Sequence, residues 1–477
     1  MPEMAMPVTS NLKRNLGLWA IVALGLGYMT PTVVFDTFGM VAEQTNNVVP
    51  LAYLTALVVM IFTAISYGKM SAEFPNAGSA YTYAKNSLHP NVGFMVGWAS
   101  MLDYLLLPLV NIIIVASYME SFFPAIPGWV WVVVFTVLAT AIIAITMRGT
   151  SNLNTLLLVI AIAAMATFVI TVIGQLNAGA GAGTVVTAAP FFHEGVDFGA
   201  VLIGATIVCF SFIGFDAVTM YVEEARTPKI VPRAIILTVL IGGGIFIVTA
   251  YFTQALFPDW QAFLVDGNTV EEQRRYMDDS TLPIIGKLVG GETMMIILTA
   301  AGFAATIASL LASQASVARM LLVMGRNNVL PKKVFGFVNS TTRTPTFNVL
   351  LAGLVCLTGI WLTLSDIVHF INFGALIAFS FVNISVFAWF AIRQGRRKTA
   401  ADIIKFTVLP AIGLAMTVIL WVNLSPESLT GGLIWAAVGF IYMLFLTRGF
   451  RKQVSGFDEA QPVTGFNKVA EGENLDV

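Results

Sequence analysis

The chain has 477 residues, 57% of them hydrophobic and 11% charged, with a formal net charge of −1 and a mean hydropathy of +0.84. These values exclude a soluble globular protein and give no basic surface for nucleic acid; they describe a polytopic membrane protein. The start, "MPEMAMPVTSNLKRNLGLW", has no small-residue cleavage site behind a short apolar core, so no removable signal peptide is expected.

Apolar runs of about 20 residues, enough to cross the hydrocarbon core, fall near 17–42, 48–68, 93–119, 126–147, 153–174 and 199–222. Six more follow near 232–256, 289–318, 345–364, 367–392, 404–423 and 430–447, giving twelve predicted spans. Alternating those spans puts 22 of the 25 Lys and Arg residues on one face and leaves Arg274, Arg275 and Lys287 on the other. The positive-inside rule then predicts that both termini are cytoplasmic. The opposite loops carry twelve acids, among them Glu43, Glu120, Asp278 and Asp366. That surplus reads either as a cation-attracting vestibule or as what remains once bases are excluded.

The first span contains "GYMTPTVVFDTFG", Gly27 to Gly39. Pro31 lacks an amide hydrogen and clashes with the preceding turn, while Thr30 suits an N-cap and proline suits the first helical position. Two half-helices are expected, one ending near Gly27 and one starting at Pro31; a proline kink in a continuous helix is the alternative. Non-helical backbone at membrane depth is tolerated where it lines a cavity, as in transporters with discontinuous helices. Asp36 costs roughly 2.5–3.5 kcal/mol at mid-bilayer unless it faces a polar interior. No Lys or Arg lies deep enough to pair with it, which points to a transported cation or a proton.

The third span holds a further intramembrane acid, Asp103, followed by Tyr104. In the sixth, "VCFSFIGFDAVTMYVEEARTP", Ser211 and Gly214 weaken the helix ahead of Asp216. The Phe35-Asp36 and Phe215-Asp216 pairs thus fall in the first and sixth spans, where a five-plus-five repeat places its broken helices. Tyr28, Thr30, Tyr104 and Ser211 add neutral hydrogen-bonding groups near the breaks. Glu223 and Glu224, beside Arg226, Lys229 and Arg233, are candidates for an inner ion-pair gate or for plain surface pairs. His89, His193 and His369 form no metal or nucleophile motif, no phosphate loop occurs, and Cys209 and Cys356 lie within spans. No enzyme and no cofactor is expected.

Three stretches, "FPNAGSAYTYAKNSLHPNVGFMVGW" from Phe74, "FSFIGFDAVTMYVEEARTPKIVPRAI" and "RMLLVMGRNNVLPKKVFGFVNSTTRTPTFNVL" from Arg319, resemble the amino acid, polyamine and organocation transporters. The first span is most similar to that of bacterial putrescine importers. The resemblance implies an all-α protein of the LeuT-like fold, with ten core helices (17–392) in a five-plus-five inverted repeat, helices 1 and 6 broken, and two peripheral helices (404–447). The transporter domain would be 12–448, flanked by a cytoplasmic tail, 1–11, and an acidic one, 449–477. Phe210 matches an aromatic gate over substrate, and Asp216 matches acids that couple to pH. Where the family commonly has Gly-Ser-Gly amides holding a carboxylate, this chain has Pro31, Thr32 and Val33.

That departure degrades a carboxylate cradle but leaves the cation-favouring carbonyl ends of the half-helices. The expected function is import of putrescine or a similar short polyamine across the cytoplasmic membrane, with an amino acid transporter or amino acid/amine exchanger, or a channel or sensor, as alternatives. Asp36, Tyr28, Thr30, Pro31, Asp103, Tyr104, Phe210 and Ser211 are the expected substrate-site residues. Asp216 and Asp36 are expected to couple a proton, and Phe210, Glu223 and Glu224 to gate. The fifth span lacks the lysine that some proton-coupled relatives use, so sodium coupling or uniport stays open. A monomer or homodimer is expected.

Overall fold

The computed structural model describes residues 16–74, 80–145, 151–222, 225–267, 269–326, 329–339, 341–342 and 344–451. The expected tail 1–11, residues 452–477 of the other tail, Glu223, Glu224 and part of the Phe74 motif lie outside the described residues. Among the described residues, eleven helices are long and apolar enough to cross a membrane: Leu18–Asp36, Val49–Glu73, Pro90–Phe122, Gly128–Ile145, Thr155–Asn177, Phe198–Thr219, Val231–Leu256, Leu282–Arg326, Leu364–Arg393, Ala400–Val422 and Pro426–Thr447. The shorter Thr346–Ile360 occupies the ninth position and completes twelve.

The packing partners reveal the repeat. The first span packs on the seventh and the fifth, and the sixth packs on the second and the tenth. The third packs on the tenth as the eighth does on the fifth. The second meets the seventh, the third the eighth and the fourth the ninth. Adding five to each number, counted around ten, turns every contact into another of the set or into itself, which is the signature of two equivalent five-helix units.

The last two spans lie outside this core. The twelfth is fixed by Trp98 and Trp435, whose stacked rings lie 4.9 Å apart. Each indole donates to the other's carbonyl, at 2.9 and 2.8 Å. Gly439 makes the approach possible, since a Cβ there would sit 2.2 Å from the Trp98 ring.

The first span breaks as expected in kind but not in detail. Its first half runs to Met29, and Thr30 adopts a left-handed φ of 47° with its amide donating to Gly27 O. Thr30 is therefore a C-cap, not the N-cap its side chain suggested. Helix resumes at Val33 rather than Pro31, because the Pro31-Thr32 turn must first close through Val33 N to Thr30 O at 2.9 Å.

The sixth span is capped by Asp197, which accepts from the amides of Gly199 and Ala200, and runs to Phe212. It breaks at Gly214, whose φ of +118° favours glycine. The chain continues as a tighter 3-10 helix, Asp216–Val222. Ser211 stays inside the first helix, so Gly214 alone supplies the break. The eighth span is also interrupted, at Gly290 and Gly291, which separate a short leading helix from the membrane-crossing part.

Candidate functional site

The two breaks and the third and eighth spans enclose a cavity lined by Tyr28, Thr30, Asp36, Asn111, Phe210 and Thr306, with Val33, Leu107, Ile213 and Ser309 among the remaining residues. It leaves about 20 Å³ for the centre of a water molecule to explore, room for one or two waters. The protein is therefore closed around this point. No Lys, Arg or His lines it.

Asp36 is completely buried. Its Oδ1 accepts from Tyr118 Oη and Ser280 Oγ, each at 2.7 Å, while its Oδ2 has no hydrogen-bond partner. An unpartnered buried carboxylate oxygen beside a cavity is a demand for a donor. The segment following the helix Val270–Asp278 supports it from outside. Thr281 N donates to Asp36 O at 3.3 Å, and Thr281 Oγ1 accepts from Gly39 N at 2.9 Å.

Asn111 Nδ2 donates to Leu107 O at 2.9 Å and to Ser309 Oγ at 3.1 Å, which leaves its carbonyl as the acceptor toward the cavity. The first halves of spans one and six end here, at Met29 and Phe212, so their C-terminal carbonyls favour a cation. Several backbone positions at the breaks offer no free amide. Pro31 has none, Val33 N bonds Thr30 O, and Gly214 N donates to Asp216 Oδ1 at 3.2 Å.

Contacts tie the spans together on both faces. On the termini's face, Leu16 and Ala225 form a parallel bridge, with Arg226 N donating to Leu16 O at 2.9 Å. On the opposite face, Arg274 donates to both oxygens of Glu43 at 2.6 Å and lies 3.5 Å from Asp278. Arg275 and Lys287 pair with Glu120 at 3.7 Å and Glu292 at 3.5 Å. Arg274 and Arg275 thus neutralise part of the acidic surplus seen in the sequence.

The chain matches the amino acid permease family over residues 20–443. The chain belongs to the amino acid permease family. It is 41% identical over 457 residues to the low-affinity putrescine importer PlaP of Escherichia coli (strain K12), spanning 95% of this chain and 98% of that protein. Two Bacillus subtilis (strain 168) proteins are more distant. The methylthioribose transporter is 26% identical over 469 residues, covering 92% of this chain and 94% of its own. The branched-chain amino acid permease BcaP is 23% identical over 468 residues, covering 93% and 95%.

The permease fold gathers Asp36, Tyr28, Thr30 and Phe210 around one cavity. Pro31 shapes the break without lining it. Ser211 faces elsewhere: its hydroxyl shares a hydrogen bond with Tyr53 at 3.0 Å, and Tyr53 shares another with Thr37 at 3.1 Å, tying span two to both broken helices. Asp103, Tyr104 and Asp216 come together in a neighbouring pocket. Tyr118, Ser280, Asn111 and Thr306 were not singled out in the sequence. Only Asn111 and Tyr118, seven residues apart on one face of an apolar helix, carried a readable signal.

Proposed function

We propose that this permease imports putrescine or a similar short diamine across the cytoplasmic membrane by proton symport. One observation carries the reading: Asp36 holds a buried, partnerless oxygen at a cavity with no basic side chain, while Pro31 has no amide hydrogen and the amides of Val33 and Gly214 are already bonded. An ammonium finds a carboxylate, helix-end carbonyls and the aromatic faces of Phe210 and Tyr28. The α-carboxylate of an amino acid finds no amide hydrogen at Pro31 and bonded ones at Val33 and Gly214.

A carboxylate buried without a base needs a proton or a cation, because an uncompensated charge costs several kcal/mol there. Asp36 releases its proton as the ammonium arrives, and Asp216 holds the proton that crosses together with the amine, which is the coupling step. Phe210 covers the bound amine, and the 22-to-3 distribution of Lys and Arg orients the termini inward, so the membrane potential favours uptake. The putrescine importer's 41% identity supports the same substrate class.

The test is labelled putrescine uptake by proteoliposomes with an imposed inward proton gradient, run with and without sodium and with excess unlabelled amino acids. Uptake that follows the proton gradient and ignores glutamate and alanine supports the proposal. Amino acid uptake without putrescine uptake overturns the substrate, and a strict sodium requirement overturns the coupling ion.

A further inference from the structure

A second pocket lies next to the Asp36 cavity, lined by Tyr67, Ser100, Asp103, Tyr104, Asp216 and Phe379. The two share a wall. On the third span, Ser100, Asp103 and Tyr104 face the second pocket, and Leu107, Val110, Asn111 and Ile114 continue the same stripe, in steps of three and four, along the first. The break of the sixth span does likewise, giving Phe210 and Ile213 to one and Asp216 to the other. Because the third span starts at Pro90 on the termini's face, the second pocket lies between that face and Asp36.

Its chemistry suits a cation. Asp103 is 9% exposed and its Oδ1 has no hydrogen-bond partner; Tyr67 is 1% exposed and its hydroxyl has none either. No Lys, Arg or His lines the pocket. Two carboxylates in one buried space repel unless a cation or proton sits between them. The space, about 10 Å³ for the centre of a water, suits one small polar head. A primary ammonium brings three donors, which Asp103, Asp216 and the Tyr67 oxygen can accept, beside the Phe379 ring.

The two pockets do not grip opposite ends of one putrescine. Their centres on the third span are about eight residues apart, roughly 12 Å of helix. A four-carbon diamine has five bonds of about 1.5 Å between its nitrogens and reaches only about 6 Å. We propose that Asp103, Asp216 and Tyr67 form a second primary-ammonium site in series with Asp36, a station the amine occupies on its way to the termini's face. This rests on the reading of the Asp36 cavity as an ammonium site.

The experiment is equilibrium binding of labelled putrescine to the full-length protein in nanodiscs, in sodium-free and sodium-containing buffer. Two putrescines per chain are expected for the wild type and one for Asp103→Asn. Tyr67→Phe, which removes only a hydroxyl, should weaken the second site about tenfold and gives the same reading if Asp103→Asn does not fold. Unfolding temperatures of the unliganded proteins establish folding. A single wild-type site unaffected by either substitution overturns the proposal. So does a pocket that titrates with sodium, seen as sodium dependence lost in Asp103→Asn while putrescine stoichiometry stays at one. Absence of any putrescine binding to the wild type overturns the diamine reading itself, and this site with it.

Discussion

The Tyr118 hydroxyl donates to Asp36 Oδ1 at 2.7 Å across 82 residues of sequence, and so fixes which carboxylate oxygen faces the cavity. Ser280 donates to the same oxygen from the opposite side of the chain's fold. Losing either hydroxyl removes a charge-assisted bond of about 1.5–3 kcal/mol. Tyr118→Phe and Ser280→Ala should therefore each raise the KM for putrescine roughly tenfold or more, with intact folding. Because they share one acceptor, the double variant should deviate from additivity by more than about 0.5 kcal/mol. Additive effects in the uptake kinetics would mean the two hydroxyls do not act through Asp36.

Asp279 follows the helix Val270–Asp278, outside the membrane spans. Burial, with Glu120 and Asp278 nearby, pushes its carboxyl up from 3.8 to about 7. Between those values the folded protein holds a proton that the unfolded chain has released, so stability falls as pH rises from about 4 to about 7 and levels off above. Asp278, also raised by burial, adds in the same direction. Hydrogen exchange of residues 270–281, corrected for intrinsic rate, should be slower at pH 5.5 than at pH 8, and Asp279→Asn should flatten most of that difference. An unchanged pH dependence in Asp279→Asn would assign it to other groups.

Gly214→Ala tests the break of the sixth span. The residue's φ of +118° disfavours any side chain, and a Cβ would lie 2.7 Å from Tyr28 Cδ1 and 3.2 Å from Met29 N. Backbone strain of this kind costs about 1–3 kcal/mol, and the push falls on the Tyr28 wall of the cavity. Uptake should be largely lost while Ser211→Ala, which touches only the Tyr53 network, retains more. Wild-type uptake by Gly214→Ala would contradict the geometry of the break.

Much of this architecture was legible in the sequence because the bilayer imposes few solutions. Span lengths follow from hydropathy alone: the expected 126–147 and 232–256 appear as Gly128–Ile145 and Val231–Leu256. Asp36 was legible as an expensive residue needing a partner. What it would meet was not, since nothing local connects it to Tyr118 or to Ser280, which is 244 residues away. Turn chemistry also misled. Thr30 has an N-cap side chain but sits in a left-handed C-cap, because the following Pro31 ends one helix before it can begin the next. Ser211 looked like a helix weakener, yet its bond to Tyr53 keeps it in the helix and leaves the break to Gly214.

Whether the free Asp36 oxygen takes the substrate ammonium is read most directly from the Kd for labelled putrescine of Asp36→Asn against wild type, both confirmed as folded by their unfolding temperatures. Asparagine keeps the shape and removes the charge, so affinity at the Asp36 cavity should weaken by at least tenfold, as the loss of a charged hydrogen bond implies. Wild-type affinity in a folded Asp36→Asn protein would contradict it and place the amine elsewhere.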